Sequence, residues 1–449
     1  MIDDAADIAI VGAGPAGAHL ASLAGAAGYR VLLFDPKGAW EKPCGGGVTS
    51  HGLKEYSFLI ESQAHPYKSI DRLIIISSAG QRVGVDLQHS FAVYSRAVLN
   101  DLIVQRAIAS GATFIREKIV GFERFEGHWA LRDSSGDRWS ARILVGADGA
   151  ASSTRRRLIG TFPAKDTALA MGYNVFVRRQ ADKSDWADGA DRAEHAGATK
   201  AARRRAKDQP GESTVVVQFA KSFSGYLWAF PRVDSINFGV ASKLTEQTSS
   251  SLRGKLDDFV FDHMSAAGLS AERSDFFAAK IPVLDRRSWK DLKATGDRWA
   301  LIGDAAGFVD PITGEGIYYA LKSADLLFAC LTDSAGGAQS GLAKAACEVS
   351  NPTGSAPTPL PVESADFGRA AAAYESLWRR EFGRELERAS QLLTRFYDSR
   401  FLGRDFNDAM VTIARRHLGV RETMTRAIIG EQSYISLKKD LLRSLFRPF

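Results

Sequence analysis

The chain has 449 residues, more than a single hydrophobic core usually serves, so two or three domains are expected. With 45% hydrophobic and 24% charged residues it has the composition of a globular protein, which excludes a disordered or low-complexity chain. The net charge of +6 is concentrated in residues 178–207, with nine Lys/Arg against five Asp/Glu, and 415–449, with eight against three; lacking interleaved aromatics, these stretches do not point to nucleic acid.

Residues 8–34 are nearly all apolar or small, but the acidic start and the interrupting glycines and Arg30 argue against a secretory leader or a membrane span. Instead the segment reads as strand, tight turn, helix from Pro15 to Ala27, and a second strand ending at Asp35, a βαβ unit. Residues 69–94 read as a hairpin turning at "SAGQ", and a helix follows from Ser95. Short strands then lead to "VGADG". From about 165 to 285 strand patterns dominate, interrupted by a basic, alanine-rich surface insertion from Ala181 to Glu212. A strand, loop and helix surround "LIGDAAGFVDPITGEGI", residues 350–364 have linker composition, and a mostly helical tail follows. Cys44, Cys330 and Cys347 are too few and too scattered for a disulfide framework, no metal site is expected, and a reducing cytosol fits best. Cys330 and Cys347 read as structural.

"GAGPAG" sets Gly12, Gly14 and Gly17 at the GxGxxG spacing, with Pro15 and Ala16 between them, at the turn of the βαβ unit. Such glycines allow a tight turn, close approach of backbone to a pyrophosphate, and close helix packing, while the helix N-terminus offers N–H groups to an anion. Asp35 lies 18 residues after Gly17, where a carboxylate can accept from both ribose hydroxyls of an adenosine. A bound dinucleotide is expected.

"VGADGAASSTRR" at 145–156, "LIGDAAGFVDPITGEGI" at 301–317 and Arg96 opening a helix together resemble the flavoproteins of the p-hydroxybenzoate hydroxylase fold class. The resemblance implies FAD, with Asp304 near the pyrophosphate and ribityl chain. It also implies a helix starting near Gly314, Gly316 and Ile317 whose N–H groups face the flavin, and cofactor roles for Arg96, Val120 and Asp148. Capping of the turn after its strand is an equal alternative for Asp148.

"KPCGGGV" after the second strand resembles a motif of the geranylgeranyl reductase family, flavoenzymes that saturate isolated double bonds in prenyl chains. "GYLWAFPRVDSINFGVA" at 225–241 is similar to the family's YxWxFP element, although Ala241 replaces its last glycine, and "PITGEGI" matches a third element. The resemblance spans roughly residues 7–330, and beyond it "IIGEQSY" is similar to the family's C-terminal end. It implies an α/β fold: a Rossmann-like FAD-binding domain (1–69, 95–164 and 285–335), an antiparallel-sheet substrate domain (70–94 and 165–284) and a mostly helical C-terminal region (336–449).

An isolated alkene is not polarised by a carbonyl, so its reduction needs a proton donor and a hydride donor at the two carbons within a dry apolar channel. Cys44 is the candidate catalytic residue, donating a proton or positioning a water; a packing role is the alternative. Gly45 and Gly46, with Cys44, are expected to pass close to the flavin. Tyr226, Trp228 and Phe230 alternate, so on a strand their rings share one face and can wall the channel.

With no second GxGxxG in a βαβ unit, the electron donor is NAD(P)H bound transiently or reduced ferredoxin or another carrier protein. Leu437, Leu441, Leu442, Leu445 and Phe446 line one face of the final helix, suggesting either peripheral membrane contact from a cytoplasmic enzyme or packing on its own core. An FAD monooxygenase of an aromatic or polyketide-like substrate would share every cofactor motif but leaves "PCGGG" beside "YLWAFP" unexplained, and a halogenase would need a WxWxIP element that is absent. A non-catalytic flavin-binding protein would tolerate changes at Cys44.

Overall fold

The computed structural model describes residues 5–125, 127–177, 212–221, 223–334, 364–398, 400–401 and 404–445. Residues 181–211 of the expected insertion, 350–363 of the expected linker, Cys347 and Phe446 lie outside the described residues. The chain divides into two units. One comprises Met1–Glu41, Arg96–Pro163 and Ile281–Glu387, and the other Lys42–Ser95, Ala164–Lys280 and Arg388–Phe449.

The first unit is built on the expected βαβ start: strand Ala6–Val11, helix Pro15–Ala26 and strand Val31–Phe34. These strands sit in the middle of a parallel array ordered 299–301, 138–146, 6–11, 31–34, 113–115. Ala6–Val11 is buried along its whole length, as a strand covered on both faces must be. Helices Arg96–Ala109 and Ile317–Ser334 pack against Pro15–Ala26. An antiparallel pair, 119–125 with 128–133, extends the sheet beside 138–146.

The second unit is an eight-stranded sheet ordered 271–282, 167–177, 235–243, 225–231, 214–219, 68–76, 82–93, 47–48. Pairing is antiparallel from 167–177 to 214–219, parallel between 214–219 and 68–76, and antiparallel again to the edge. Alternation divides its side chains between two cores. Ile74, Ile76, Leu227 and Ala229 face the helix Ser249–Ala267, and Leu73, Ile75, Val215 and Val217 face Met410, Val411, Ala414, Val420 and Met424 of the C-terminal helices 406–416 and 418–428.

Three expectations change. Residues 42–69, assigned by sequence to the nucleotide-binding domain, group with the second unit because Gly47–Val48 pairs with Ala92–Val93 and Lys68 begins the long hairpin. The helical C-terminal region is not a body of its own: residues through Glu387 join the first unit, where Phe308 packs on Trp378 and Phe382, and the rest join the second. The strand-dominated segment also contains the 19-residue helix Ser249–Ala267, whose first turn is capped by the Thr248 hydroxyl and which ends at left-handed Gly268.

Candidate cofactor and substrate sites

The nucleotide site is assembled inside the first unit. Gly12 has φ +106°, and a Cβ there would stand 2.4 Å from the Ala147 carbonyl oxygen; one on Gly17 would stand 1.9 Å from the oxygen of Gly12. Both must be glycine for strand, turn and helix to close up. Gly14 differs, since nothing lies within 4 Å of a Cβ built on it, so it borders open space at the head of the helix. Pro15 occupies the first turn and no side chain caps the helix, leaving the N–H groups of Ala16 and Gly17 for an anion.

Asp35 is held by three backbone donors. Oδ2 accepts from Ala13 N–H at 3.0 Å, and Oδ1 from Lys37 and Gly38 N–H at 2.9 and 3.0 Å. The carboxylate is thus fixed in orientation while half-buried, with lone pairs to spare for a diol. Arg96 is 3% exposed; its Nη2 donates to Asn100 Oδ1 at 3.1 Å, but its Nε has no partner. A buried guanidinium donor left idle costs stability and suits a phosphate. Glu41, which sequence reasoning missed, accepts from the N–H groups of Arg96 and Ala97 at 3.2 and 3.3 Å and so caps that helix.

The "GDAAG" turn lies against the same helix start: a Cβ on Gly303, which has φ +57°, would stand 3.1 Å from Ala16 Cβ. Asp304 follows, and its Oδ1 would be 3.1 Å from a Cβ on Gly316. Gly314, at φ +71°, donates to the Asp310 carbonyl at 2.9 Å, and buried Asp310 accepts from Ile312 N–H at 2.8 Å, tying the turn that delivers Gly316 and Ile317 to the helix start. Asp148 meets the capping alternative. Its Oδ2 accepts from Ser153 and Thr154 N–H at 2.7 and 3.0 Å and from both hydroxyls, while Oδ1 accepts from Ser152 Oγ. Val120 is a strand residue whose carbonyl accepts from Arg157.

The second unit brings Cys44 to the aromatic strand. Tyr226 and Trp228 have ring centroids 5.7 Å apart, and Phe230 continues the stripe on the face covered by the C-terminal helices. A Cβ on Gly45 would stand 2.9 Å from the Phe230 ring, and 3.6 Å from Trp228 Nε1. One on Gly47 would also meet Phe230, at 3.2 Å. Gly46, at φ +84°, would drive a Cβ to 2.0 Å from the Tyr94 carbonyl oxygen. Gly45 and Gly46, expected beside the flavin, and Gly47 after them therefore have protein contacts of their own: Gly45 and Gly47 let a ring lie on the backbone and Gly46 makes the turn. Cys44 is half-exposed, and its sulfur accepts from Gly46 N–H at 3.4 Å.

A buried polar chain backs this cluster. Trp228 Nε1 donates to Asn237 Oδ1 at 2.7 Å, Asn237 Nδ2 to Asn174 Oδ1 at 2.7 Å, Arg232 Nη1 to the same Asn174 oxygen at 3.1 Å, and Arg232 Nη2 to the Cys44 carbonyl at 2.9 Å. Sequence reasoning missed Asn174, Arg232 and Asn237. The "GEQ" of the C-terminal element also has a partner here, since Glu431 accepts from Ser50 Oγ, six residues after Cys44. Of the final helix, Leu441 packs into the second unit's core while Leu442 is 51% exposed, so the expected apolar face is split. Among the described residues no helix is long and apolar enough to cross a membrane, and no group of His, Cys, Asp or Glu could hold a metal ion.

A glycine-lined helix start, an oriented carboxylate and an idle buried arginine on a parallel sheet are what a dinucleotide needs, and the family comparison agrees: the FAD binding domain model matches residues 5–348, and the chain belongs to that family. It is an FAD-dependent oxidoreductase, and among its relatives are reductases of prenyl compounds to which it is similar in sequence. It is 28% identical over 340 residues to a menaquinone reductase of Mycobacterium tuberculosis, covering 72% of this chain and 76% of that one. It is 25% identical over 332 residues to a geranylgeranyl diphosphate reductase of Synechocystis, covering 71% and 73%. In fold it is similar to a geranylgeranyl bacteriochlorophyll reductase-like protein of Thermoplasma acidophilum, with a TM-score of 0.68 at 18% identity over 98% of this chain and 96% of the other.

Proposed function

We propose that this oxidoreductase saturates isolated double bonds of prenyl chains of the geranylgeranyl type. The observation that supports the reading is the packing of the turn that carries Cys44, through Gly45 and Gly47, on the rings of Trp228 and Phe230. Bound FAD would supply hydride, held by Gly12, Gly14, Gly17, Asp35, Arg96 and Asp304 and by the helix start at Gly316 and Ile317. Tyr226, Trp228 and Phe230 would hold the isoprenoid by apolar contact, and their π faces favour the cationic character that protonation of a trisubstituted alkene creates. The Cys44 thiol would donate that proton or fix the water that does.

The electron donor is taken to be NAD(P)H or a reduced carrier such as ferredoxin. Peripheral contact of a cytoplasmic enzyme with a membrane would run through exposed Ile435, Lys438, Lys439 and Leu442, and flotation with anionic vesicles, lost in K438E/K439E, tests it.

The deciding experiment is anaerobic. The flavoprotein is reduced, mixed with geranylgeranyl diphosphate or with menaquinone, and followed by absorbance and mass spectrometry. Flavin reoxidation with two hydrogen atoms gained per bond is expected, and C44A should abolish it. No anaerobic reaction with either prenyl compound, and rapid reoxidation with an oxygenated product once oxygen is admitted, would overturn the reading in favour of a monooxygenase.

A further inference from the structure

The hydrogen-bonded chain behind the Cys44 turn does more than satisfy buried polar atoms. Asn237 is fully buried, and Asn174 and Arg232 are 6% exposed, so each member was desolvated to join it. The chain begins on the aromatic strand at Trp228, crosses two neighbouring strands through Asn237 and Asn174, and returns through Arg232 to the backbone oxygen of Cys44 itself. Arg232 donates to that oxygen and to Asn174 at once, and its forked guanidinium spans two acceptors that a single ammonium cannot bridge in the same geometry. Beyond Cys44 the turn is held by Phe230 on Gly45 and by Tyr94, which donates to the Gly46 carbonyl at 2.9 Å, and Arg232 holds the end at Cys44 itself.

We infer that Arg232 is a positioning residue, which through Asn174 and Asn237 fixes the Cys44 turn in register with Trp228. This rests on the reading of Cys44 as the residue that serves the substrate. Without the tether the turn samples several conformations, and the thiol's reach to a bound chain is lost far more than the binding of that chain. Displacement of about 1 Å at a reacting group can cost on the order of a hundredfold in rate.

The test uses the flavin-loaded enzyme and two variants that keep the charge of Arg232, R232K and N174L, with N174D as the conservative control that keeps the shared acceptor. The rate of Cys44 alkylation by iodoacetamide, mapped by mass spectrometry, should rise severalfold in R232K and N174L and stay near the parent rate in N174D. Turnover of geranylgeranyl diphosphate should fall on the order of tenfold to a hundredfold in kcat with KM changed little. Unchanged alkylation of Cys44 in R232K would overturn the inference, as would equal loss in N174D and N174L. Alkylation reads the tether whatever the reaction turns out to be: if C44A proves fully active, the reading of Cys44 falls while the positioning by Arg232 is still judged by its own result.

Discussion

The ring of Trp228 occupies the space that a side chain on Gly239 would need. The two residues are paired across adjacent strands, and a Cβ on Gly239 would stand 2.0 Å from the indole Cζ2. The spacing between the aromatic element and the later glycine is therefore a cross-strand packing rule. Gly239→Ala should push the indole off Asn237 and cost about 1–3 kcal/mol, seen as a lower melting temperature and altered tryptophan fluorescence. A variant that melts with the parent would show that Trp228 is not confined as described.

Flavin content gives a second prediction. Gly12→Ala must place a side chain at φ +106° against the Ala147 carbonyl, and should leave the purified protein largely colourless, with the flavin band at ~450 nm lost because strain of about 1–3 kcal/mol falls on the binding turn. Arg96→Met should weaken FAD roughly tenfold to a hundredfold, the worth of a charge-assisted bond, measured by titrating apoprotein. Because Arg96 Nε is idle without the cofactor, the apoprotein should melt no lower by more than the loss of the Asn100 bond explains.

The cysteines should differ in reactivity. Burial, reinforced by Asp333, raises the Cys330 thiol to about 11, and the residue is 5% exposed. At pH 8 iodoacetamide should label half-exposed Cys44 and leave Cys330 unmodified until the protein is denatured, as peptide mapping would show.

Acid sensitivity should arise partly at His263. Burial against Phe238 and Phe259, with Arg82 adding repulsion, lowers this imidazole from its ordinary 6.5 to about 4. The unfolded chain then binds the proton more readily than the folded one, so this contribution is complete above about 6.5 and is lost as pH falls towards 4. His263→Gln should flatten the fall in melting temperature over that window. An unchanged pH profile would assign the acid limb to other groups.

What was legible in the sequence was what is locally forced. Gly12 and Gly17 are required by contacts with residues of the same small motif or the adjoining strand, and Asp35 by the turn it organises, so motif spacing finds them. Asp148 was legible only as far as its position; its five hydrogen bonds show the cap that the turn receives. Asn174, Arg232 and Asn237 were invisible because their partners are set by strand register, which no short window contains. The helix Ser249–Ala267 had a signal that was passed over: Thr248 before it, buried Leu252, Leu256 and Phe259 at helical spacing, and Gly268 after it.

Each unit is stitched from three separated stretches, the first ending only with 281–387 and the second with 388–449. During synthesis, therefore, neither can close until most of the polypeptide has left the ribosome, and the long wait exposes strand edges to wrong partners. Attempts to express either half as a continuous fragment would cut through both, so division of this protein for study calls for circular rearrangement of its segments rather than simple truncation.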